Sequence, residues 1–183
     1  NGLRGLYFHC EKLDANHLHF GNIALATPEA NATCKREWLR RGNWDGLPDF
    51  WEDFSSDGAL QRESDYVAIN PGEHRALKTG SISVKKTIQP GQSETYSFLM
   101  SWYFPNRMDN WEYDACACGN CETHTVKNHY ATRFADAWDA AVHLNKHLSG
   151  LEARSRAFTR ALYGSTLPES VIESAANNIT TLR

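Results

Sequence analysis

The chain has 183 residues, of which 41% are hydrophobic and 22% are charged, and this is the balance of an ordinary globular protein. A formal net charge of −3 and the lack of a basic stripe argue against nucleic acid as a partner. No apolar run approaches the roughly 18 residues of a membrane-spanning helix, so no transmembrane segment is expected. The chain begins at Asn1 and ends at Arg183 within a helical pattern, and we therefore expect an internal piece of a longer protein.

Two strands are predicted near the start of the chain, at 6–10 and 18–27, with the polar stretch 11–16 between them. Gly21 and Asn22 can place a bulge in the second of these strands.

A short helix is predicted after these strands, because apolar residues recur at helical spacing at Leu47, Phe50, Trp51 and Phe54. Pro48 suits its first turn, and Gly58 lies just past its end. This spacing predicts that Trp51 and Phe54 point into a core.

The clearest strand is predicted at 94–104, where apolar side chains alternate with smaller or more polar ones. The apolar members, which are predicted to form its buried face, are Tyr96, Phe98, Met100, Trp102 and Phe104. The segment 82–88 also alternates. Pro90 and Gly91 lie between the two segments and favour a turn, because proline fixes φ and glycine accepts a positive φ. These patterns together predict an antiparallel hairpin.

From Arg133 onward the pattern is helical, with frequent alanine and no proline until Pro168. Gly150 either splits this helix or lies within it, and Gly164 ends it. One broad apolar stripe is formed by Phe134, Trp138, Ala141, Val142, Leu148, Leu151, Phe158, Ala161 and Leu162.

A second helix is predicted after Gly164, with Ser165 or Thr166 as its cap and Pro168 in its first turn. Its apolar positions are Val171, Ile172, Ala175, Ile179 and Leu182. Apolar stripes must be buried, so two successive helices of this kind predict further helical neighbours.

Carboxylate pairs are the usual catalysts of glycosidic bond hydrolysis, and the chain offers no convincing pair. The densest acidic stretch contains Asp45, Asp49, Glu52, Asp53 and Asp57, which is interpreted as charge on the outer face of the short helix. Asp136 and Asp139 flank Trp138, and Asp136 has the spacing of a surface ion pair with Arg133. No catalytic residue is assigned.

The sharpest local motif is Cys116, Cys118 and Cys121 followed by His124, which could complete a tetrahedral zinc site. However, four ligands so close in sequence leave little chain to surround an ion. A loop with free thiols or one local disulfide is therefore the favoured interpretation. No metal ligand and no cofactor is assigned.

The other histidines do not form a set. His17 and His19 share one face of a predicted strand, and His143 and His147 are four residues apart on a helix, which favours a solvated helical face. Serine nucleophile motifs and phosphate-binding glycine loops are absent from the sequence.

Several ordered stretches resemble glycoside hydrolase family 116, the bile-acid β-glucosidase or non-lysosomal glucosylceramidase family. The matching stretches are FGNIALAT at 20–27, WEDF with Gly58 and Leu60, Pro90-Gly91, FLMSWYFPNR at 98–107, NHYATRFADAW at 128–138 and STLPESVIESAANNITTLR at 165–183. The two longest of them are the most specific.

The resemblance implies an α+β fragment. Residues 1–110 would be the C-terminal part of an antiparallel β-sandwich, 111–129 a cysteine-containing connection, 130–163 a linker helix, and 164–183 the start of an (α/α)6 catalytic barrel. It also implies a retaining β-glucosidase that hydrolyses β-glucosides, including glucosylceramide. The catalytic carboxylates of the family belong to motifs downstream of the matched stretch, so this piece is expected to be architectural and inactive alone.

Three other interpretations of the chain remain open at this point. The first is a carbohydrate-binding sandwich module with Trp44 or Trp111 as its platforms. The second is a small zinc-stabilised interaction domain built on the cysteine cluster. The third is a truncated chain with no function of its own.

Overall fold

The computed structural model describes residues 2–39, 46–60, 79–108 and 125–179. Within these ranges the chain is a mixed α/β structure with antiparallel sheets and three α-helices. The strands are β1 (Arg4–His9), β2 (Asn22–Thr27), β3 (Thr33–Lys35), β4 (Ser81–Ser83), β5 (Leu99–Tyr103), β6 (Asn106–Met108) and β7 (Thr125–Lys127). The helices are α1 (Gly46–Asp57), a 3-10 helix (His129–Thr132), α2 (Ala137–Tyr163) and α3 (Glu169–Asn178).

The chain divides into two compact units, Asn1–Asn145 and Lys146–Arg183. The first unit holds the described strands, helix α1 and the start of α2. The second holds the remainder of α2 and helix α3. Among the described residues, no helix combines the length and hydropathy needed to cross a membrane.

The centre of the first unit is a three-stranded antiparallel sheet in the order β1-β2-β5. Leu6 lies opposite Leu25 across the first pair, and Ala24 lies opposite Ser101 across the second. The two predicted N-terminal strands are therefore confirmed, although β2 begins at Asn22 rather than at residue 18, and the structure pairs them with each other. The ladder runs without interruption from Asn22 to Ala26 on β2, so the predicted bulge at Gly21 and Asn22 is wrong.

Two short strand pairs accompany this sheet. Strands β3 and β4 pair with Cys34 opposite Ile82, and β6 and β7 pair with Arg107 opposite Val126. Gly80, just before β4, lies so close to β1 that an added Cβ would meet Leu6 Cδ1 at 2.7 Å. The β3–β4 pair therefore packs on the β1 end of the sheet, where glycine permits the close approach.

The Pro90-Gly91 turn is confirmed, but the predicted hairpin is wrong. Gly91 has φ +79, and Gln92 N–H donates to the carbonyl of Gln89 at 3.0 Å. The flanking strands do not pair with each other, because β4 pairs with β3 and β5 pairs with β2. A turn motif fixes only the local reversal of the chain, whereas the partner of a strand depends on packing between distant segments.

Lys86 holds the segment before this turn. Its Nζ donates to Glu29 Oε1 at 3.0 Å, lies 3.6 Å from Glu94 Oε2 and sits 5.0 Å from the centre of the Tyr96 ring. The hydrogen bond to Glu29, followed by attraction to both carboxylates, raises the pKa of Lys86, although partial burial opposes the rise. Side-chain contacts therefore tie this segment to the loop after β2.

The buried face of β5 is the opposite of the one predicted. Leu99 and Tyr103 are buried, whereas Met100 and Trp102 are exposed. The covered face of the sheet is the one that carries Ala24 and Ala26 on β2, since small side chains allow an element to pack closely there. Alternation in the sequence identifies two faces of a strand but does not say which face finds a covering element.

Helix α1 follows the prediction at both ends, with Pro48 in its first turn and Gly58 at φ +77 after its last residue. Phe50 stacks on Trp38 with ring centres 4.6 Å apart, and Phe54 is half-buried. Trp51 is 59% exposed, so the prediction that it points into a core is wrong. The side of the helix centred on Phe50 is covered instead.

Helix α2 begins at Ala137 and ends at Tyr163, so Gly150 lies inside one continuous helix and Gly164 follows its end. Helix α3 takes Pro168 as its N-cap, and no side chain caps it, so the predicted caps Ser165 and Thr166 are wrong. The Pro168 carbonyl instead accepts the backbone N–H groups of Val171 at 2.9 Å and Ile172 at 3.1 Å.

Trp138 packs against the core formed by Ala24, Tyr103 and Ala137. We expect Trp138→Ala to lower the free energy of unfolding by about 3 kcal/mol, because the substitution removes a large aromatic contact and leaves a cavity. Trp51→Ala, at an exposed tryptophan, is the matched control and should cost about 1 kcal/mol or less. Urea denaturation followed by circular dichroism measures both values, and equal losses would contradict the packing of Trp138 against the core.

Candidate functional site: the junction of the sheet and helix α2

The best-defined constellation of side chains lies where helix α2 starts on the three-stranded sheet. Its buried centre consists of Ala24 on β2, Tyr103 on β5 and Ala137 at the start of α2. Tyr130, Ala131, Phe134 and Trp138 pack around this centre. Ala24, Ala137 and Ala141 have no exposed surface, so the start of the helix is fully buried on this side.

The peptide groups of Ala137 are held by two strands that lie far away in the sequence. Asn22 Oδ1 on β2 accepts a hydrogen bond from Ala137 N–H at 2.7 Å. Ser101 Oγ on β5 donates to the Ala137 carbonyl at 2.6 Å. The first N–H groups of a helix have no partner within the helix, so the buried Asn22 amide supplies one that solvent cannot.

Local carboxylates complete the N-terminus of α2. Asp136 Oδ1 accepts the N–H of Asp139 at 2.8 Å, and Asp139 Oδ2 accepts the N–H of Ala135 at 3.1 Å. Negative charge near a helix N-terminus is favourable, because the backbone dipoles present a partial positive charge there. The surface ion pair proposed for Asp136 is therefore not its main interaction in the structure.

The 3-10 helix fixes the chain where β5 ends. Phe104 N–H donates to the Tyr130 hydroxyl at 3.1 Å, and that hydroxyl in turn donates to the Phe104 carbonyl. Asn128 Nδ2 donates to the same carbonyl at 3.0 Å. The ring of Tyr130 meets Tyr103 edge to face, with centres 5.8 Å apart. Hydrogen bonds to both the N–H and the carbonyl of Phe104 therefore join the end of β5 to the segment that precedes α2.

Asn106 ties a further loop to this region. Its Nδ2 donates to the carbonyls of Ala15 at 2.7 Å and His17 at 2.9 Å, and the side chain is buried. The loop between β1 and β2 is therefore anchored to strand β6 by a single amide.

Burial raises the pKa of two phenol groups beside the junction, those of Tyr103 and Tyr7. For Tyr103 the loss of solvent is the largest cause of the raised pKa, and the electrostatic effects of Tyr130 and Asp136 add to it. For Tyr7 the causes are burial and then Asp136. Both hydroxyls therefore stay protonated at neutral pH, so they contribute no charge of their own to the junction.

Two of the acidic residues interpreted as surface charge are in fact enclosed. Lys35 Nζ lies 3.0 Å from Asp49 Oδ2 and 3.5 Å from Asp53 Oδ2. The lysine side chain is 2% exposed, and the two carboxylates are 12% and 10% exposed. The interpretation as an outer face is therefore wrong for Asp49 and Asp53. Because both carboxylates close on one buried cation, the arrangement is suited to holding α1 on β3 rather than to receiving a substrate.

Burial also disfavours Cys34 as a nucleophile. Loss of solvent raises the pKa of its thiol, and the positive charge of Arg4 offsets this only in part. A protonated thiol is a poor nucleophile.

The cysteine cluster that was weighed as a zinc site, the two tryptophans that were weighed as sugar platforms, and Asp45 of the acidic stretch lie outside the described residues. These positions are Trp44, Asp45, Trp111, Cys116, Cys118, Cys121 and His124. Across the described ranges, no group of three or more His, Cys, Asp or Glu side chains could hold a metal ion. His17 and His19 have ring centres 5.4 Å apart, and His143 meets Phe134 edge to face.

Asn22 and Ser101 were missed by the sequence analysis as junction residues. The residue type of Asn22 was a signal, because asparagine is disfavoured in strands. The sequence analysis explained its presence by a bulge. A polar residue at the start of an otherwise apolar strand indicates a specific hydrogen-bond partner. Its partner lies 115 positions away along the chain, so no local pattern identifies it.

We expect Asn22→Ala to lower the free energy of unfolding by about 1–3 kcal/mol, because it leaves the buried N–H of Ala137 without an acceptor. Asn177→Ala, at an exposed position of α3, is the matched control and should change it by about 0.5 kcal/mol or less. Urea denaturation of both variants tests this, and equal stability of the Asn22 variant and the parent chain would refute the capping role.

We also expect Lys35→Met to lower the free energy of unfolding by about 3–5 kcal/mol, because it removes the buried ammonium group that both enclosed carboxylates contact. The control is Glu52→Gln, an exposed charge on the same helix, with an expected change of about 0.5 kcal/mol or less. Thermal and urea denaturation measure the stability loss of each variant. Equal losses in the two variants would show that Lys35, Asp49 and Asp53 are open to solvent.

Comparison with known families places residues 1–151 under one family model, described as beta-glucosidase 2, glycosyl-hydrolase family 116 N-term. The match covers most of the chain, including the whole junction. None of the curated proteins compared with the chain matches it significantly.

Proposed function

Because the chain belongs to glycoside hydrolase family 116, we propose that it is an architectural part of a retaining β-glucosidase of the glucosylceramidase type. In this proposal the parent enzyme hydrolyses β-glucosides, and its catalytic carboxylates lie outside this piece. Residues 1–110 form the end of a β-sandwich, 111–129 a connection, 130–163 a linker helix, and 164–183 the first helix of an (α/α)6 barrel.

The observation that carries the proposal is the pair of hydrogen bonds by which the sheet holds the first residue of α2. Asn22 and Ser101 hold both peptide groups of Ala137, so the start of the helix cannot slide along the strands. The helix then continues for 27 residues without a break, a length of about 40 Å. A rod that is anchored at one end suits a linker between a sheet domain and a helical domain.

The second half of α2 and helix α3 support the same role. Phe158 and Tyr163 on α2 and Val171 on α3 are large apolar residues that are exposed, as is Leu167 in the connection between the two helices. Apolar stripes on helices are normally buried against other helices. A helical catalytic domain would supply such neighbours.

The acidic residues are also consistent with an architectural role. Retaining glycosidases need two carboxylates about 5 Å apart that flank the substrate bond. The carboxylates of Asp49 and Asp53 are close together, but both contact the buried ammonium group of Lys35 and are nearly closed to solvent. The platforms proposed for a carbohydrate-binding module and the cysteine cluster proposed for zinc lie outside the described residues, so no structural observation favours those two alternatives.

The test is hydrolysis of an aryl β-glucoside by this chain and by the same chain extended downstream in its parent gene. We expect activity only in the extended protein, with retention of anomeric configuration in the product. A carboxylate variant in the extended part that abolishes activity without unfolding would identify one of the two catalytic carboxylates.

Two outcomes would contradict the proposal. Activity in the short chain would place a catalytic carboxylate pair within residues 1–183. Inactivity of both proteins towards β-glucosides, with the extended protein folded by circular dichroism, would remove the β-glucosidase assignment.

A further inference from the structure

Lys35 on strand β3 is a buried amine that the proposed function does not use. Its side chain is 2% exposed, and its Nζ lies 3.0 Å from Asp49 Oδ2 and 3.5 Å from Asp53 Oδ2 on helix α1. Lysine is seldom buried so completely. Both carboxyl groups are also nearly closed to solvent. One amine is therefore held against two carboxyl groups with little access to water, and we call these three residues the β3–α1 triad.

Hydrogen bonds hold the end of helix α1 on the strands that carry the amine. Leu60 N–H donates to Thr33 Oγ1 on β3 at 2.9 Å. Ser83 Oγ on β4 donates to the Gly58 carbonyl at 2.6 Å. Because β3 and β4 pair with each other, these two bonds fix the helix relative to the strand pair.

Aromatic packing holds the middle of the same helix. The Phe50 ring stacks on Trp38 with centres 4.6 Å apart and on Phe54 with centres 5.8 Å apart. Trp38 Nε1 donates to Ser81 Oγ at 2.9 Å, and Ser81 lies opposite Lys35 in the β3–β4 ladder. Reacting groups that are held in a suitable geometry can reach effective concentrations of about 10⁵–10⁸ M. The fixed position of α1 therefore favours a reaction between the amine and a carboxyl group.

The lack of water around the β3–α1 triad acts in the same direction. Enclosure favours proton transfer from an ammonium group to a neighbouring carboxylate, because both charged forms lose their hydration. The neutral amine that results is a nucleophile, and the carbon of a carboxylic acid is an electrophile. A site that excludes water also protects the product from hydrolysis.

We propose that Lys35 and Asp49 condense to an isopeptide bond, an amide between their side chains, with Asp53 as the proton relay. The ammonium group passes one proton to Asp49, and the neutral amine attacks the Cγ of that residue. Asp53 accepts a second proton from the nitrogen and delivers it to the hydroxyl oxygen on this carbon. The Cγ–O bond then breaks, one molecule of water leaves, and Asp53 is again a carboxylate.

Asp49 is assigned as the condensing residue because its oxygen is the nearer of the two to Nζ. The step consumes no oxidant, reductant or further reactant, since the three protons of the ammonium group supply the amide N–H and the water. The product joins β3 to α1 covalently. It does not depend on the activity of the parent enzyme.

The intact mass of the purified chain under denaturing conditions tests the proposal. We expect the chain to be lighter than its sequence mass by one molecule of water, because an amide bond survives unfolding. A tryptic digest should contain a branched peptide in which the side chain of Lys35 is joined to Asp49. Trypsin should not cleave after Lys35, because the acylated side chain carries no charge.

Two substitutions separate the amine from the relay. Lys35→Arg keeps the positive charge, but a guanidinium group does not lose its proton, so this variant should keep its full mass. Asp53→Asn keeps both condensing groups and should slow the condensation by about 100-fold or more. Glu52→Gln, at an exposed position of α1, is the matched control and should condense like the parent chain. Circular dichroism establishes that each protein is folded, and the mass of the parent chain decides the question even if a variant does not fold.

Three results would overturn the inference. The first is a folded parent chain with its full sequence mass. The second is a water loss located at Asp57-Gly58, because an aspartyl-glycyl pair can lose water by forming a succinimide within the backbone. The third is a branched peptide through Asp53, which would contradict the roles assigned to the two carboxyl groups.

Discussion

The close contact between Ala24 on β2 and Ala137 on α2 is the constraint on which the rest of the junction depends. Both alanines are fully buried and belong to the same cluster, so only small side chains of these two residues lie between the helix and the sheet. Larger side chains would push the helix outward, and Asn22 and Ser101 are too short to reach it across a wider gap. Asn22 and Ser101 can therefore hydrogen-bond to the peptide groups of Ala137 because the side chains of Ala24 and Ala137 are small. The packing of small side chains sets the distance between the helix and the sheet, and the hydrogen bonds set the position of the helix along the strands.

The sequence predicted the positions of the helices and strands better than it predicted which strands pair with each other. The first two strands, the short helix between Pro48 and Gly58, and the stop at Gly164 all follow from local chemistry. These features depend on proline, glycine and short-range periodicity, which act within a few residues. The pairing of β5 with β2 instead joins segments about 75 residues apart, and nothing in the intervening turn specifies it.

The candidate site was predictable in its apolar part only. Phe134 and Trp138 were expected in the apolar stripe of the helix, and both pack at the junction. Asn22 and Ser101 were not expected, because the value of a buried polar side chain depends on a partner that the sequence does not reveal. The enclosure of Asp49 and Asp53 has the same origin, since Lys35 approaches them from a different element. Charge patterns along one helix describe neighbours on that helix and not on the strand beneath it.

The interactions that stabilise helix α2 also differ along its length. Its first turn is tied to buried strands, whereas the turns around Gly150 face solvent and contain a residue with low helix propensity. Backbone amides near Ala137 can open only when the sheet opens, but those beyond Gly150 can open through local fraying. One geometrically continuous helix therefore comprises two cooperative segments. Amide hydrogen exchange would slow towards the strands and quicken towards Tyr163, and proteolytic cleavage would fall in the second segment before the first.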